Sequence, residues 1–165
     1  MRKPAAIVGS AVFFLVGPGI IVGLVPWLLT GWLVNQHWMF LRALGGILLD
    51  AGLAVLILAF VRFVVEGLGT PVPIAAPSRL VVGGVYRYVR NPMYVGVILA
   101  IIGQALIFGQ LSLLVYAAVG FLVTSAFVHW YEEPRLALLF GADYEAYRKE
   151  VPGWWPRLHP WKPDE

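Results

Sequence analysis

Residues 7–33 carry no charged side chain, and three further apolar segments follow at about 41–65, 93–108 and 111–131. Crossing the ~30 Å hydrocarbon core of a bilayer takes about 20 predominantly apolar residues in a helix. These segments therefore read as membrane spans. Composition agrees, because only 13% of the chain is charged, against about 25% in a soluble domain. Its seven Trp suit a protein that needs ring side chains at two lipid–water interfaces. The 165 residues hold one compact bundle and no second soluble domain. There is no cysteine, which excludes a disulfide framework and a Cys-based metal site. The opening Met-Arg-Lys imitates a signal peptide, but the apolar stretch over residues 5–34 is too long for an h-region.

Gly17-Pro18-Gly19 and Pro26 interrupt the first segment. A proline inside a helix removes a backbone bond, so a kink or break is expected there. Gly19 and Gly23 form a GxxxG that would allow close helix packing. The second segment, roughly 37 Å at 1.5 Å per residue, is ample for a tilted span. Asn91-Pro92 predicts the start of the third helix, with Asn91 as N-cap and Pro92 at the first helical position. Only Gly109-Gln110 separates the third and fourth segments, which predicts a tight antiparallel hairpin.

Beyond Pro134 the pattern turns amphipathic. Leu136, Leu139, Phe140, Tyr144, Tyr147 and Val151 recur at helical spacing, and Gly141 weakens that helix midway. Trp154, Trp155 and Trp161 follow among prolines, as a tail lying on the membrane or capping the bundle. The expected fold is all-α: a polytopic transmembrane bundle of four spans, or five if the first segment splits, with a C-terminal amphipathic helix. The single membrane domain, 1–165, divides into N-terminal spans (1–66), a loop (67–92), a helical hairpin (93–131) and a cofactor-capping tail (132–165).

With four spans, Arg2, Lys3, Arg62, Arg79, Arg87, Arg90, Arg135, Arg148, Lys149, Arg157 and Lys162 share one face. That leaves Arg42 alone, of the 12 Lys and Arg, on the other. The positive-inside rule then makes both termini and the long middle loop cytoplasmic. The net charge of +3 is gathered in loops rather than along a stripe, so it signals topology and not nucleic acid. A five-span chain would put its N-terminus outside.

Two segments concentrate the unusual polar residues: 83–94, with Arg87, Arg90, Asn91, Pro92 and Tyr94, and 129–134, with Tyr131, Glu132 and Glu133. The hairpin brings both to the same membrane depth. Adjacent carboxylates at a helix C-terminus meet the negative end of its dipole, at a cost of about 0.3–1 kcal/mol each. Arg87, Arg90 and Arg135 could compensate them, as could a cationic ligand, or Pro134 could open a new helix whose N-terminus favours them. Structural ion pairing is the readier of these accounts. The free amides opening the third helix suit a carboxylate or phosphate, while Arg87 and Arg90 could equally bind lipid phosphates. Gly67 and Gly69 form a Gly-x-Gly that would let backbone approach a ligand, a composition also ordinary for a loop. Asp50 is an intramembrane acid expected to face the bundle interior or a site. His129 reads as a structural hydrogen-bonder, His37 and His159 have no matching partners, and no His–acid spacing suggests a metal.

The run Gly84-Val85-Tyr86-Arg87-Tyr88-Val89-Arg90-Asn91-Pro92-Met93-Tyr94 is followed, after the hairpin, by Glu132-Glu133-Pro134. Leu136, Phe140-Gly141, Tyr144, Tyr147 and Val151-Pro152 complete the pattern. In order and spacing it resembles the intramembrane methyltransferases that include isoprenylcysteine carboxyl methyltransferase and the phospholipid N-methyltransferases. The resemblance spans residues 71–156. It implies S-adenosylmethionine as cofactor, held at the cytoplasmic end of the last two helices by Arg87, Asn91, Pro92, Tyr94, Tyr131, Glu132 and Glu133. Gly67 and Gly69 match more loosely. It assigns catalytic roles to Glu133, Arg90 and Asn91, and a lipid or lipid-modified acceptor whose tail enters from the bilayer. Many carboxyl methyltransferases of this family have His where this chain has Asn91, so the acceptor stays open between carboxyl and amine. An amine acceptor would need a base, for which Glu133 and His129 are candidates. The competing readings are a sterol-type NADPH reductase and a non-catalytic bundle that binds lipid or scaffolds partners.

Overall fold

A computed structural model describes residues 12, 16–67 and 79–162, and among them every regular element is helical. Helix α1 (Val16–Thr30) runs as a π-helix over Gly19–Leu24 before closing as an α-helix. The predicted kink at the prolines is thus taken up by a widened turn and not by a break. The Thr30 hydroxyl donates to the Pro26 carbonyl at 2.8 Å, and Gly31 stops the helix in the left-handed conformation (φ 56°), which glycine enters without steric cost. A 3-10 turn (Gln36–Leu41) leads into α2 (Arg42–Gly67).

Helix α3 (Pro92–Phe108) and helix α4 (Leu111–Phe127) form the expected hairpin. Gly109 turns the corner at φ 66°. A Cβ there would lie 2.9 Å from the Asn35 carbonyl oxygen, and Asn35 N–H donates to the Phe108 carbonyl at 2.7 Å. The chain leaving α1 is therefore sewn to the hairpin turn. A π-turn (Val128–Glu132) joins α4 to α5 (Glu133–Glu150). Gly141 interrupts α5 with non-helical angles (φ 51°, ψ −125°), where the sequence placed its weak point.

Helices α2 and α3 approach at the level of backbone. A Cβ on Gly52 would sit 2.6 Å from the Ala100 nitrogen, and one on Gly103 would sit 2.7 Å from the Gly45 carbonyl oxygen. Gly45 with Gly52, and Gly96 with Gly103, repeat at heptad spacing, which keeps small residues on one stripe of each helix. The Gly19/Gly23 pair, whose spacing would allow close packing, is not used for it among the described residues: a Cβ added at either position would meet nothing within 4 Å. Asp50, expected toward the interior, is exposed on the outer side of α2.

Among the described residues, two helices are long and apolar enough to cross a membrane: Trp38–Glu66, with mean hydropathy 2.4 in its most apolar stretch, and the α4–α5 rod Leu111–Glu150, with 2.2, which is kinked at Gly141. Helices Val16–Thr30 and Pro92–Phe108 are apolar but shorter.

Candidate active site

The site begins with a turn held to the end of α2. Gly83 N–H donates to Glu66 Oε2 at 2.9 Å, and Arg62 fixes the same carboxylate at 2.8 Å. Past the following 3-10 turn (Gly84–Arg87) the chain zips onto the C-terminal tail. Arg90 N–H donates to the Pro152 carbonyl at 2.9 Å and Asn91 N–H to that of Gly153 at 3.2 Å. Farther along, the N–H groups of Arg157 and Trp161 donate to the carbonyls of Tyr88 and Arg87, each at 2.9 Å. The buried Tyr147 hydroxyl closes the joint by donating to the Tyr86 carbonyl at 2.6 Å. Burial, and after it the neighbouring Tyr147, push the Tyr86 hydroxyl well above its usual value, so it stays protonated.

Arg90 organises the centre. Its Nε donates to the Val151 carbonyl at 2.8 Å, and its Nη1 donates to Glu133 Oε1 at 2.7 Å and to the Tyr144 hydroxyl at 3.1 Å. Glu133 also faces Arg148 at 3.3 Å. One carboxylate thus meets two guanidiniums, and the Arg90–Glu133 side chains are 14% and 12% exposed.

Glu132 is placed differently. Its Oε2 accepts from the Tyr94 hydroxyl at 3.1 Å, and among the described residues no ion pair reaches it. Burial pushes its carboxyl above the ordinary 4.5; the Tyr94 hydrogen bond draws it back, and the adjacent Glu133 adds to the rise. Neither glutamate lies at a helix end. The helix continues through the π-turn into α5, so the expected dipole conflict at a C-terminus, and its relief at a new N-terminus, both fall away.

Asn91 occupies the N-cap position of α3, but its side chain makes no capping bond. Its Nδ2 is buried without a partner, a costly state for an amide unless a ligand accepts from it. Tyr131 holds Arg135 through its hydroxyl at 2.6 Å, with the guanidinium carbon 5.7 Å from the ring centre.

These groups form one end of a cavity of about 440 Å³. Arg90, Asn91, Pro92, Tyr94, Tyr131, Glu132 and Glu133, all predicted from sequence, line it together. Its remaining walls are mostly apolar and come from all five helices and from the 80–86 segment. Arg87 is absent from the lining: its Nε donates to the Trp161 carbonyl at 2.6 Å, which makes it a clasp on the tail. Gly67 closes α2, and Gly69 lies outside the described residues. His129 stands edge-on to the exposed Trp130 ring and is not among the residues that line the cavity. Tyr144 and Arg148 received no role from sequence. Tyr144 was legible as part of the buried stripe of α5, whereas Arg148 lay among the solvated charges.

Comparison with known proteins bears on the same stretch. Protein-S-isoprenylcysteine O-methyltransferase of Schizosaccharomyces pombe is 38% identical over 80 residues, covering 48% of this chain and 34% of that protein. The match thus spans about a third of the relative's length. Residues 40–143 match the phospholipid methyltransferase family, a span that takes in α2, the 83–94 segment, the hairpin and both glutamates. With well over half of its length inside that match, the chain belongs to the phospholipid methyltransferase family.

Proposed function

We propose that this protein is an integral membrane methyltransferase that uses S-adenosylmethionine to methylate a lipid or prenylated acceptor. Family membership supports the reaction class, and the similarity to an isoprenylcysteine O-methyltransferase supports a lipophilic acceptor. The observation that carries the cofactor reading is a pair of unspent groups in one cavity. Glu132 is a carboxylate held in the cavity wall by a tyrosine and by no cation among the described residues, and the Asn91 amide is a buried donor without an acceptor. S-adenosylmethionine offers a sulfonium and an ammonium to the first and a carboxylate to the second, so the residues fit the group.

When bound, the cofactor supplies an electrophilic methyl group. The protein's share is alignment, since in-line displacement depends on close, oriented approach. Glu132 attracts the positive end, with the faces of Tyr94 and Tyr131 beside it. Asn91 and the opening amides of α3 receive the negative end. Arg90 and Glu133 fasten the start of α3 to α5 and the tail, which sets the spacing between those two binding elements. The apolar walls exclude water, a setting that favours dispersal of charge in the transition state. Carboxyl O-methylation needs no base, whereas amine N-methylation requires loss of a proton first. We place four spans in the bilayer, with both termini and the site on the cytoplasmic face, on the strength of the charge asymmetry.

The test is calorimetry of the purified protein in nanodiscs with S-adenosylmethionine, S-adenosylhomocysteine and NADPH. Saturable binding of the first two, weakened about tenfold or more by Glu132→Gln, is the expected result. Binding of NADPH alone would turn the reading to a reductase, and no binding to folded protein would turn it to a non-catalytic bundle. Methyl transfer to farnesylcysteine and to phosphatidylethanolamine then distinguishes the acceptors.

A further inference from the structure

The cavity has a closed end as well as a polar one. From Asn91 to Ile101 its wall follows α3 for roughly 15 Å at 1.5 Å per residue, about half the hydrocarbon thickness of a bilayer. Past Ile101 the hairpin is solid: Ala105, Leu113 and Ala117 are buried together with it in one apolar cluster. Tyr116 packs on that cluster and lines the cavity at this level. Its hydroxyl donates to the Ile21 carbonyl of α1 at 3.1 Å, and one residue on, Gln104 Nε2 donates to the Val22 carbonyl at 2.7 Å.

Both carbonyls belong to the π-turn of α1. Two side chains of the hairpin therefore bolt that helix across the inner end of the cavity, where Gly17, Pro18 and Ile21 form its wall. The ring of Tyr116 is held in place by an anchor on a different helix, and so is poorly able to swing aside.

We propose that Tyr116, locked to α1 at Ile21, is the floor of the acceptor pocket and sets the longest unbranched tail the site accepts. The proposal rests on the reading of the cavity as the acceptor site of a methyltransferase. A tail shorter than the pocket ends in apolar space, and a longer one meets a ring backed by close-packed core. Gly120 lines the same pocket one turn nearer the polar end. A Cβ there would meet Ile98 Cδ1 at an ordinary 3.5 Å, so a side chain at this position would grow into the cavity at modest cost to the fold.

The experiment displaces a radiolabelled short-chain lysophosphatidylethanolamine from the full-length protein in nanodiscs, using lysolipids of stepwise increasing acyl length. On a mole-fraction scale each methylene moves between two apolar surroundings, so affinity stays flat with length while the chain fits. It falls about tenfold or more once the chain overpacks the floor. Tyr116→Ala moves that break to longer chains and Gly120→Leu moves it to shorter ones, while Tyr116→Phe, which keeps the ring but loses the Ile21 anchor, leaves the break within one step of the wild type and makes the fall beyond it shallower. The same break in wild type, Tyr116→Ala and Gly120→Leu overturns the proposal. If Tyr116→Ala does not fold, Gly120→Leu decides alone. S-adenosylmethionine binding is measured on the same samples. A common break with cofactor binding intact removes the floor and leaves the enzymatic reading; shifted breaks without cofactor binding do the reverse.

Discussion

Arg90 and Glu133, 43 residues apart in sequence, meet at 2.7 Å between Nη1 and Oε1. The pair joins the segment before α3 to the first turn of α5, and Arg90 extends it to the tail through the Val151 carbonyl. Removing one member leaves a largely enclosed charge unanswered. Glu133→Ala is expected to cost about 3–5 kcal/mol of stability, read by thermal unfolding in detergent. Arg90→Met combined with Glu133→Leu should recover most of that loss. A double variant no more stable than the single one would show that the pair is not the fastening.

Glu132 gives two slopes of opposite sign. Its carboxyl is raised above 4.5, so within the window between that value and the raised one the folded apoprotein holds a proton that the unfolded chain has released. Apoprotein stability therefore falls as pH rises through the window, while affinity for a cationic cofactor grows as the same proton leaves. Glu132→Gln should flatten both slopes. Slopes of equal sign, or slopes kept in the Gln variant, would refute the assignment.

The glycines sort into two groups with different expected costs. Gly52→Ala would put a methyl 2.6 Å from the Ala100 nitrogen, forcing α2 and α3 apart at about 1–3 kcal/mol. Gly19→Ala and Gly23→Ala meet nothing within 4 Å and should unfold close to the wild-type temperature. Equal melting temperatures across the set would mean that the α2–α3 approach is looser than described.

Arg87 separates clasping from binding. Losing its 2.6 Å bond to the Trp161 carbonyl should cost about 1–2 kcal/mol and speed amide exchange at Trp161. Arg87→Gln should leave S-adenosylmethionine affinity within about twofold. A loss of about tenfold would return Arg87 to the binding site.

The helical hairpin, the start of α3 at Pro92 and the break at Gly141 were legible in sequence because each rests on a local rule about proline or glycine. Hydropathy likewise marked the apolar segments. Gathering of the two polar segments followed from the hairpin, and Asn91, Pro92, Tyr94, Tyr131, Glu132 and Glu133 line one cavity as the sequence led one to expect. What stayed hidden depends on facing direction. Nothing local says that Gly52 meets Ala100 while Gly23 meets nothing, or that Arg87 turns to the tail while Arg90 turns inward. The division of labour between the two glutamates was also invisible, since adjacent residues look alike until their neighbours are known. The π-helical passages left no proline or glycine at Val128–Glu132 to mark them.

That last passage, Val128–Glu132, carries a consequence of its own. A π-turn takes about one residue more than the α-helical turn it replaces, and one residue swings everything after it by about 100° around the axis. Had the chain one residue fewer at Trp130, the rod would be just as long and as oily, yet Glu133 would rotate off Arg90 and the face now lining the cavity would look elsewhere. A single residue thus separates a plain apolar helix from one that turns its glutamates to Arg90 and Tyr94.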